Sequence, residues 1–176
     1  MGKNFSNDPV SIVHTNGANA DFAELCAELD RNLVQAAIKE IGQSRSERSN
    51  TTQTIQDAFV AYADGVAVGC IALKPHGVDL AEVKRMFVRD DFRGKGIAWA
   101  LLAALEAKAA EKNFSTLILE TGRHLETACR LYKKAGFEVT PDFDQYKEIP
   151  QSVCMKKKFR AETAAPTGHL DNPPLY

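Results

Sequence analysis

The chain lacks most of the features that mark specialised proteins. Its 176 residues hold no apolar run near the ~18 residues that a membrane-spanning helix needs, and the first residues lack the apolar core of a secretory leader. Both absences point to a cytoplasmic protein without a membrane partner. Four cysteines, Cys26, Cys70, Cys129 and Cys154, stand far apart with no C-x-x-C pair, and no histidines cluster with them at metal spacing. Neither a zinc site nor a redox dithiol is expected, and no metal is required. An excess of one charge is missing too. The 22 Lys and Arg against 23 Asp and Glu leave a formal net charge of -1, so bulk charge does not attract nucleic acid and any anion must be bound locally. The MGKNFS start, the triplets at Asn50 and Asn113 and the terminal PPLY match short modification or peptide motifs, and each is read as a chance match.

What remains is an ordinary globular composition, 44% hydrophobic and 26% charged, in a length that suits one domain. We assign residues 1–160 to that domain. Residues 161–176 show no period and hold three prolines, so an arm or a disordered tail is expected there. Val10 to His14 reads as a short strand. Phe22, Leu25, Cys26, Leu29, Leu33, Ala37, Ile38 and Ile41 recur at helical spacing, predicting one or two amphipathic helices opened by an Asp21–Glu24 capping box and closed by Gly42. Gln43 to Thr54 is almost wholly polar and predicts a loop.

From Ala58 the period shortens, and two strand-like runs flank Asp64-Gly65, a dipeptide suited to a type I′ turn. A third run, Ala81 to Val88, carries Glu82, Lys84 and Arg85, which break any clean apolar alternation. Ile97 to Lys112 reads as a helix and Thr116 to Glu120 as a strand buried on both faces. Leu125 to Ala135 reads as a helix closed by Gly136. Phe137 to Val139 and Val153 to Lys157 complete the series as strands, separated by an aromatic, acidic loop.

Between the third run and the next helix, RGKGIA sets two glycines and two cations at a helix start. The first N–H groups of a helix have no partner and its dipole adds positive potential, so an anion is stabilised there. Gly94 and Gly96 remove β-carbons that would hold a pyrophosphate off the backbone, while Arg93 and Lys95 can add charge-assisted hydrogen bonds. A Walker loop is excluded, because Gly96 follows Lys95 where a hydroxyl residue is needed. The dinucleotide fingerprint fails at Trp99. The pattern R-x-x-G-x-A, from Arg93 through Gly96 to Ala98, resembles the acetyl-CoA-binding signature of the GNAT acetyltransferase superfamily. EVKRMFV, LILETG, ACRLYKKAGFEV, QY and SVCMKK resemble that family's successive blocks in order and spacing, over roughly Asp57 to Lys157.

The resemblance implies an α/β (α+β) GNAT fold: a central mixed, mostly antiparallel sheet of roughly six to seven strands, flanked by about four helices and splayed between the fourth and fifth strands. It implies an acyltransferase that moves an acetyl group from acetyl-CoA to an amine. The cosubstrate's pyrophosphate would lie on Arg93, Gly94, Lys95, Gly96, Ile97 and Ala98, and its pantetheine arm along Met86, Phe87 and Val88 as an added strand. An alkylamine, with a pKa near 10.4, is protonated at neutral pH, so a base is useful. Glu82 matches the family's glutamate base. Counted six residues to Val88 along a regular strand, it falls on the same side as that residue, a count that a bulge would alter. Tyr132 in RLYKKAGF matches a tyrosine that protonates or positions the departing thiolate.

Two positions depart from the pattern. Leu125 stands where many relatives carry asparagine, and Asp90 where a proline often follows the strand. No histidine is placed by sequence to activate Cys70 or Cys154, so direct transfer in a ternary complex is expected. The expected acceptor is a primary amine of a small molecule, amino-acid-like if Lys84 or Arg85 holds its carboxylate, beside a wall of Phe143, Gln145 and Tyr146. A protein or peptide amine, or a non-catalytic acetyl-CoA sensor of the same fold, is the alternative. A homodimer is left open.

Overall fold

A computed structural model of the chain describes residues 10–41, 52–143 and 151–158, with residues 37–41 described as helical backbone only. The readings of the MGKNFS start, Gly42, the Asn50 triplet, most of the polar loop that begins at Gln43, Gln145, Tyr146 and the tail at 161–176 with its PPLY lie outside those residues. So do the side chains of Ala37, Ile38 and Ile41. The elements run β1 (Ser11–Thr15), α1 (Ala20–Ile41), β2 (Asp57–Ala63), β3 (Val66–Pro75), β4 (Leu80–Val88), a 3-10 turn (Asp90–Phe92), α2 (Ile97–Glu111), β5 (Thr116–Gly122), α3 (Glu126–Lys134), β6 (Glu138–Thr140) and β7 (Ser152–Lys158). The order matches the sequence reading, with α1 a single helix of 22 residues and three α-helices among the described residues rather than about four. None of these helices is long and apolar enough to cross a membrane.

Among the described residues seven strands form one sheet in the order β1-β2-β3-β4-β5-β7-β6, in which β4 and β5 alone run parallel. The β2–β3 hairpin turns where the sequence predicts, with Asp64 at φ 50° and Gly65 at φ 74°, both in the left-handed region that a type I′ turn needs. The start of α1 differs from the predicted capping box. Asn19 caps the helix, its side-chain oxygen accepting from the Phe22 amide at 2.8 Å. Asp21 instead accepts the Tyr62 hydroxyl at 2.6 Å, and Glu24 pairs with Arg89 at 3.0 Å.

The sheet separates two cores. One holds Ala81, Val83 and Val88 of β4 with Leu101, Leu105 and Ala109 of α2, Leu117 and Leu119 of β5, and Tyr132 of α3. On the other face Phe22, Leu25 and Cys26 of α1 cover Val60, Cys70, Ala72 and Phe87. α3 ends at Gly136 with φ 87°, the left-handed cap that stops the helix before β6.

β4 is not a regular strand. Cys70 pairs with Phe87 and Ala72 with Lys84, so β3 advances two residues while β4 advances three. The extra residue is a β-bulge, absorbed at Arg85, which has φ 56°. A bulge reverses the alternation of side chains, which explains why Val83 and Val88 share a core across an odd interval. Glu82 alternates with Ala81 and Val83 and therefore lies on the α1 face, opposite Val88. The same-side count made along a regular strand is corrected by this bulge.

Candidate active site

β4 and β5 pair over three positions only, Leu80 with Thr116, Ala81 with Leu117 and Glu82 with Ile118. Beyond Glu82 the strands part. β4 continues against β3, and β5 against β7. A fork therefore opens along the second half of β4, and Glu82 marks its vertex. The Arg89 amide donates to the Val68 carbonyl at 2.9 Å, which turns that peptide toward β3. Strand alternation then directs Val88 and Met86 into the fork, while Phe87 faces Cys70 of β3. Peptide groups of these two residues thus face the fork rather than β3, and the Val88 carbonyl accepts from Arg93 Nε there.

The end of β4 leads through the 3-10 turn into the glycine-rich joint. Gly94 lies at φ 75° and Gly96 at φ 79°, and a β-carbon built on either meets nothing within 4 Å among the described residues. The glycines serve left-handed backbone and leave open space beside it. Gly96 is the N-cap of α2, supplies no side-chain cap, and no acidic residue stands in the first turn. The opening amides of the helix keep both their unsatisfied N–H groups and their positive potential. These features fit a pyrophosphate, with Ile97 and Ala98 supplying the first helical amides. The cations are less simply disposed. Arg93 donates through Nε to the Val88 carbonyl at 2.9 Å and pairs with Asp90 at 2.8 Å, and Lys95 lies 5.0 Å from the centre of the Phe92 ring.

Glu82 is 1% exposed. One carboxylate oxygen lies 2.8 Å from His76 Nε2 and the other accepts from Lys84 Nζ at 3.2 Å. The next residue, Arg85, reaches back to α1, donating to Asp30 at 2.7 Å. The charges that disturbed the alternation of the third run are thus gathered on one face of the bulged strand. Phe143 stands edge-on to His76, the ring centres 6.4 Å apart.

Tyr132 is 6% exposed and packs against Phe137 with ring centres 5.6 Å apart. Burial, with a smaller contribution from Cys129, raises its phenol well above the ordinary range, so the hydroxyl stays protonated. Leu125 occupies the N-cap of α3 and gives no side-chain cap, where asparagine would bond the exposed amides. Cys154 is buried and its thiol is pushed up to about 11, chiefly by burial. A hydrogen bond with Cys26, followed by burial, raises the Cys70 thiol. Neither is a thiolate at neutral pH, which disfavours a covalent acetyl carrier.

Two histidines belong to this region that sequence patterning does not single out. His76 reaches Glu82 only through the register of the β3–β4 hairpin. His124 follows β5, its ring so close to Gly122 that a β-carbon there would come within 2.6 Å of it. Both ring nitrogens of His124 are buried without a hydrogen-bond partner among the described residues.

Residues 27–137 match the acetyltransferase (GNAT) family. The IAA acetyltransferase of Azospirillum brasilense is 34% identical over 154 residues, covering 84% of this chain and 97% of that protein. A solved structure from Klebsiella pneumoniae, assigned as an acyl-CoA N-acyltransferase, shares 33% identity at a TM-score of 0.70 and covers 85% of this chain and 97% of its own. A GNAT acetyltransferase from Elizabethkingia anophelis, solved with acetyl-CoA bound, has the same fold at a TM-score of 0.62 and 19% identity, over 87% of this chain and all of its own.

Proposed function

The chain belongs to the GNAT family of acetyltransferases, and on that premise we propose that it moves the acetyl group of acetyl-CoA directly to a primary amine of a small molecule at the vertex of the β4–β5 fork. Acetyl-CoA supplies the acetyl thioester. The opening amides of α2 with Arg93, Gly94, Lys95 and Gly96 hold its pyrophosphate, and the Met86 and Val88 peptides guide its arm toward Glu82. Glu82 takes a proton from the substrate ammonium, freeing the nitrogen lone pair that forms the carbon–nitrogen bond. Tyr132 gives its phenolic proton to the sulfur as the carbon–sulfur bond breaks, and the second proton that the nitrogen sheds on becoming an amide restores the phenol. Proximity within the fork supplies much of the acceleration, and each acid–base group about 10²-fold or more.

The observation that carries the reading is the burial of Glu82, 1% exposed at the last paired position of the two strands. A carboxylate so enclosed suits a slender amine better than a broad protein surface. The Azospirillum relative is named for one acceptor, IAA, rather than for a protein, which supports the same choice. An amino-acid-like acceptor would set its carboxylate at Lys84, 20% exposed and shared with Glu82. Arg85, 5% exposed and held by Asp30, is better suited to fixing the bulge. We read residues 1–160 as one such domain working in the cytoplasm, a setting compatible with its four free cysteines.

Thiol release from acetyl-CoA, followed across amino acids, polyamines, aminoglycosides and peptides, tests the proposal. We expect turnover with at least one small amine and little with peptides. Release with peptides alone would move the acceptor to proteins, and acetyl-CoA binding without release for any amine would make the chain a sensor.

A further inference from the structure

We infer that His76 is the proton exit of the active site, relaying to solvent the proton that Glu82 collects. The inference rests on the reading of Glu82 as the base. Acetylating an ammonium releases one net proton per turnover, and at 1% exposure Glu82 has almost no water of its own to receive it. Its two carboxylate oxygens contact His76 Nε2 at 2.8 Å and Lys84 Nζ at 3.2 Å. A lysine ammonium carries three protons and has no lone pair to offer. An imidazole ring carries one nitrogen that can accept a proton and another that can release one. Of these two neighbours, His76 alone can take the proton onward.

The fold sets the histidine where such a relay needs it. In the β3–β4 hairpin Lys74 pairs with Glu82 and Pro75 with Ala81, and the His76 amide donates to the Leu80 carbonyl at 2.8 Å. His76 therefore stands opposite Leu80 and diagonally across from Glu82 on one face of the strand pair. Exposure rises along the path, from 1% for the Glu82 side chain to 20% for His76. The edge of Phe143, with ring planes at 80°, bounds the imidazole on a further side. Among the described residues, the groups that face His76 include Glu82 and, beyond it, Lys84 from β4, with the Phe143 ring from the segment after β6. In the step itself the protonated Glu82 carboxyl gives its proton to Nε2 of neutral His76, the imidazolium releases a proton to water, and the carboxylate is regenerated.

The test is His76→Gln, whose amide can keep a hydrogen bond to Glu82 but cannot pass a proton, assayed beside Glu82→Gln and with free imidazole in the buffer. We expect His76→Gln to lower kcat roughly tenfold to hundredfold, at or below the range of acid–base groups. The KM of the amine and the Kd of acetyl-CoA should stay within about twofold, with imidazole restoring much of the rate. His76→Asn, checked with His76→Gln for an intact melting transition, should behave alike. Wild-type kcat in both folded variants, or a loss that imidazole does not repair, would overturn the relay. If Glu82→Gln is slow and His76→Gln is not, only the relay falls. Wild-type turnover in Glu82→Gln would remove the base on which it rests.

Discussion

Arg85 of β4 donates through Nη1 to Asp30 of α1 at 2.7 Å, from a backbone held in the left-handed region at φ 56°. That conformation costs a non-glycine residue about 1–2 kcal/mol. The pair therefore offsets the strain of the bulge that turns Glu82 to the α1 face. Arg85 is the buried partner, its side chain 5% exposed against 51% for Asp30. Asp30→Asn removes the carboxylate from a buried guanidinium, and denaturant unfolding should show a loss of about 2 kcal/mol. A midpoint equal to wild type would mean that the bulge is held by other contacts.

Tyr132→Phe keeps the ring that packs on Phe137 and deletes the hydroxyl. Turnover should fall by about 10²-fold, with acetyl-CoA affinity and melting temperature nearly unchanged. Wild-type turnover would reduce Tyr132 to a core residue.

Gly96→Ala tests the anion cradle. A β-carbon at this position meets no atom of the described residues within 4 Å, so the cost comes from the backbone at φ 79° and amounts to about 1–2 kcal/mol. Any relaxation of that φ moves the opening amides of α2, and calorimetric titration should show weaker acetyl-CoA binding. Full affinity in a destabilised variant would put the pyrophosphate elsewhere.

Tyr62 gives the fold a dependence on alkaline pH. Its hydroxyl donates to Asp21 at 2.6 Å, and that bond, assisted by burial, raises its pKa to about 12. A pKa raised in the folded state contributes stability that is complete below the unfolded value near 10 and disappears as pH passes the folded value. Unfolding free energy should therefore fall between about pH 10 and about pH 12, and the corresponding part of that fall should be missing in Tyr62→Phe. Equal alkaline profiles in the two proteins would dismiss the tie between β2 and α1.

Local chemistry was legible in the sequence wherever one short segment dictates its own backbone. Asp64-Gly65 requires left-handed dihedrals and delivers the hairpin, and RGKGIA requires them again and opens α2. Features that depend on which residues face each other were not legible. The α1 cap could be drawn by Asp21 or by Asn19, and the turn at Asn16 to Ala18 decides for Asn19. The bulge at Arg85 is visible in sequence only as broken alternation, and without it Glu82 falls on the wrong face. His76 is six residues from Glu82, and only the register of the hairpin brings its ring to 2.8 Å from the carboxylate.

The most direct test of the account is the rate of amine-dependent thiol release from acetyl-CoA by Glu82→Gln beside wild type, with the best small amine of the acceptor panel. Removing the carboxylate at the vertex of the fork should lower kcat by about 10²-fold and leave the Kd of acetyl-CoA nearly unchanged. Equal kcat values in the two proteins would contradict the account.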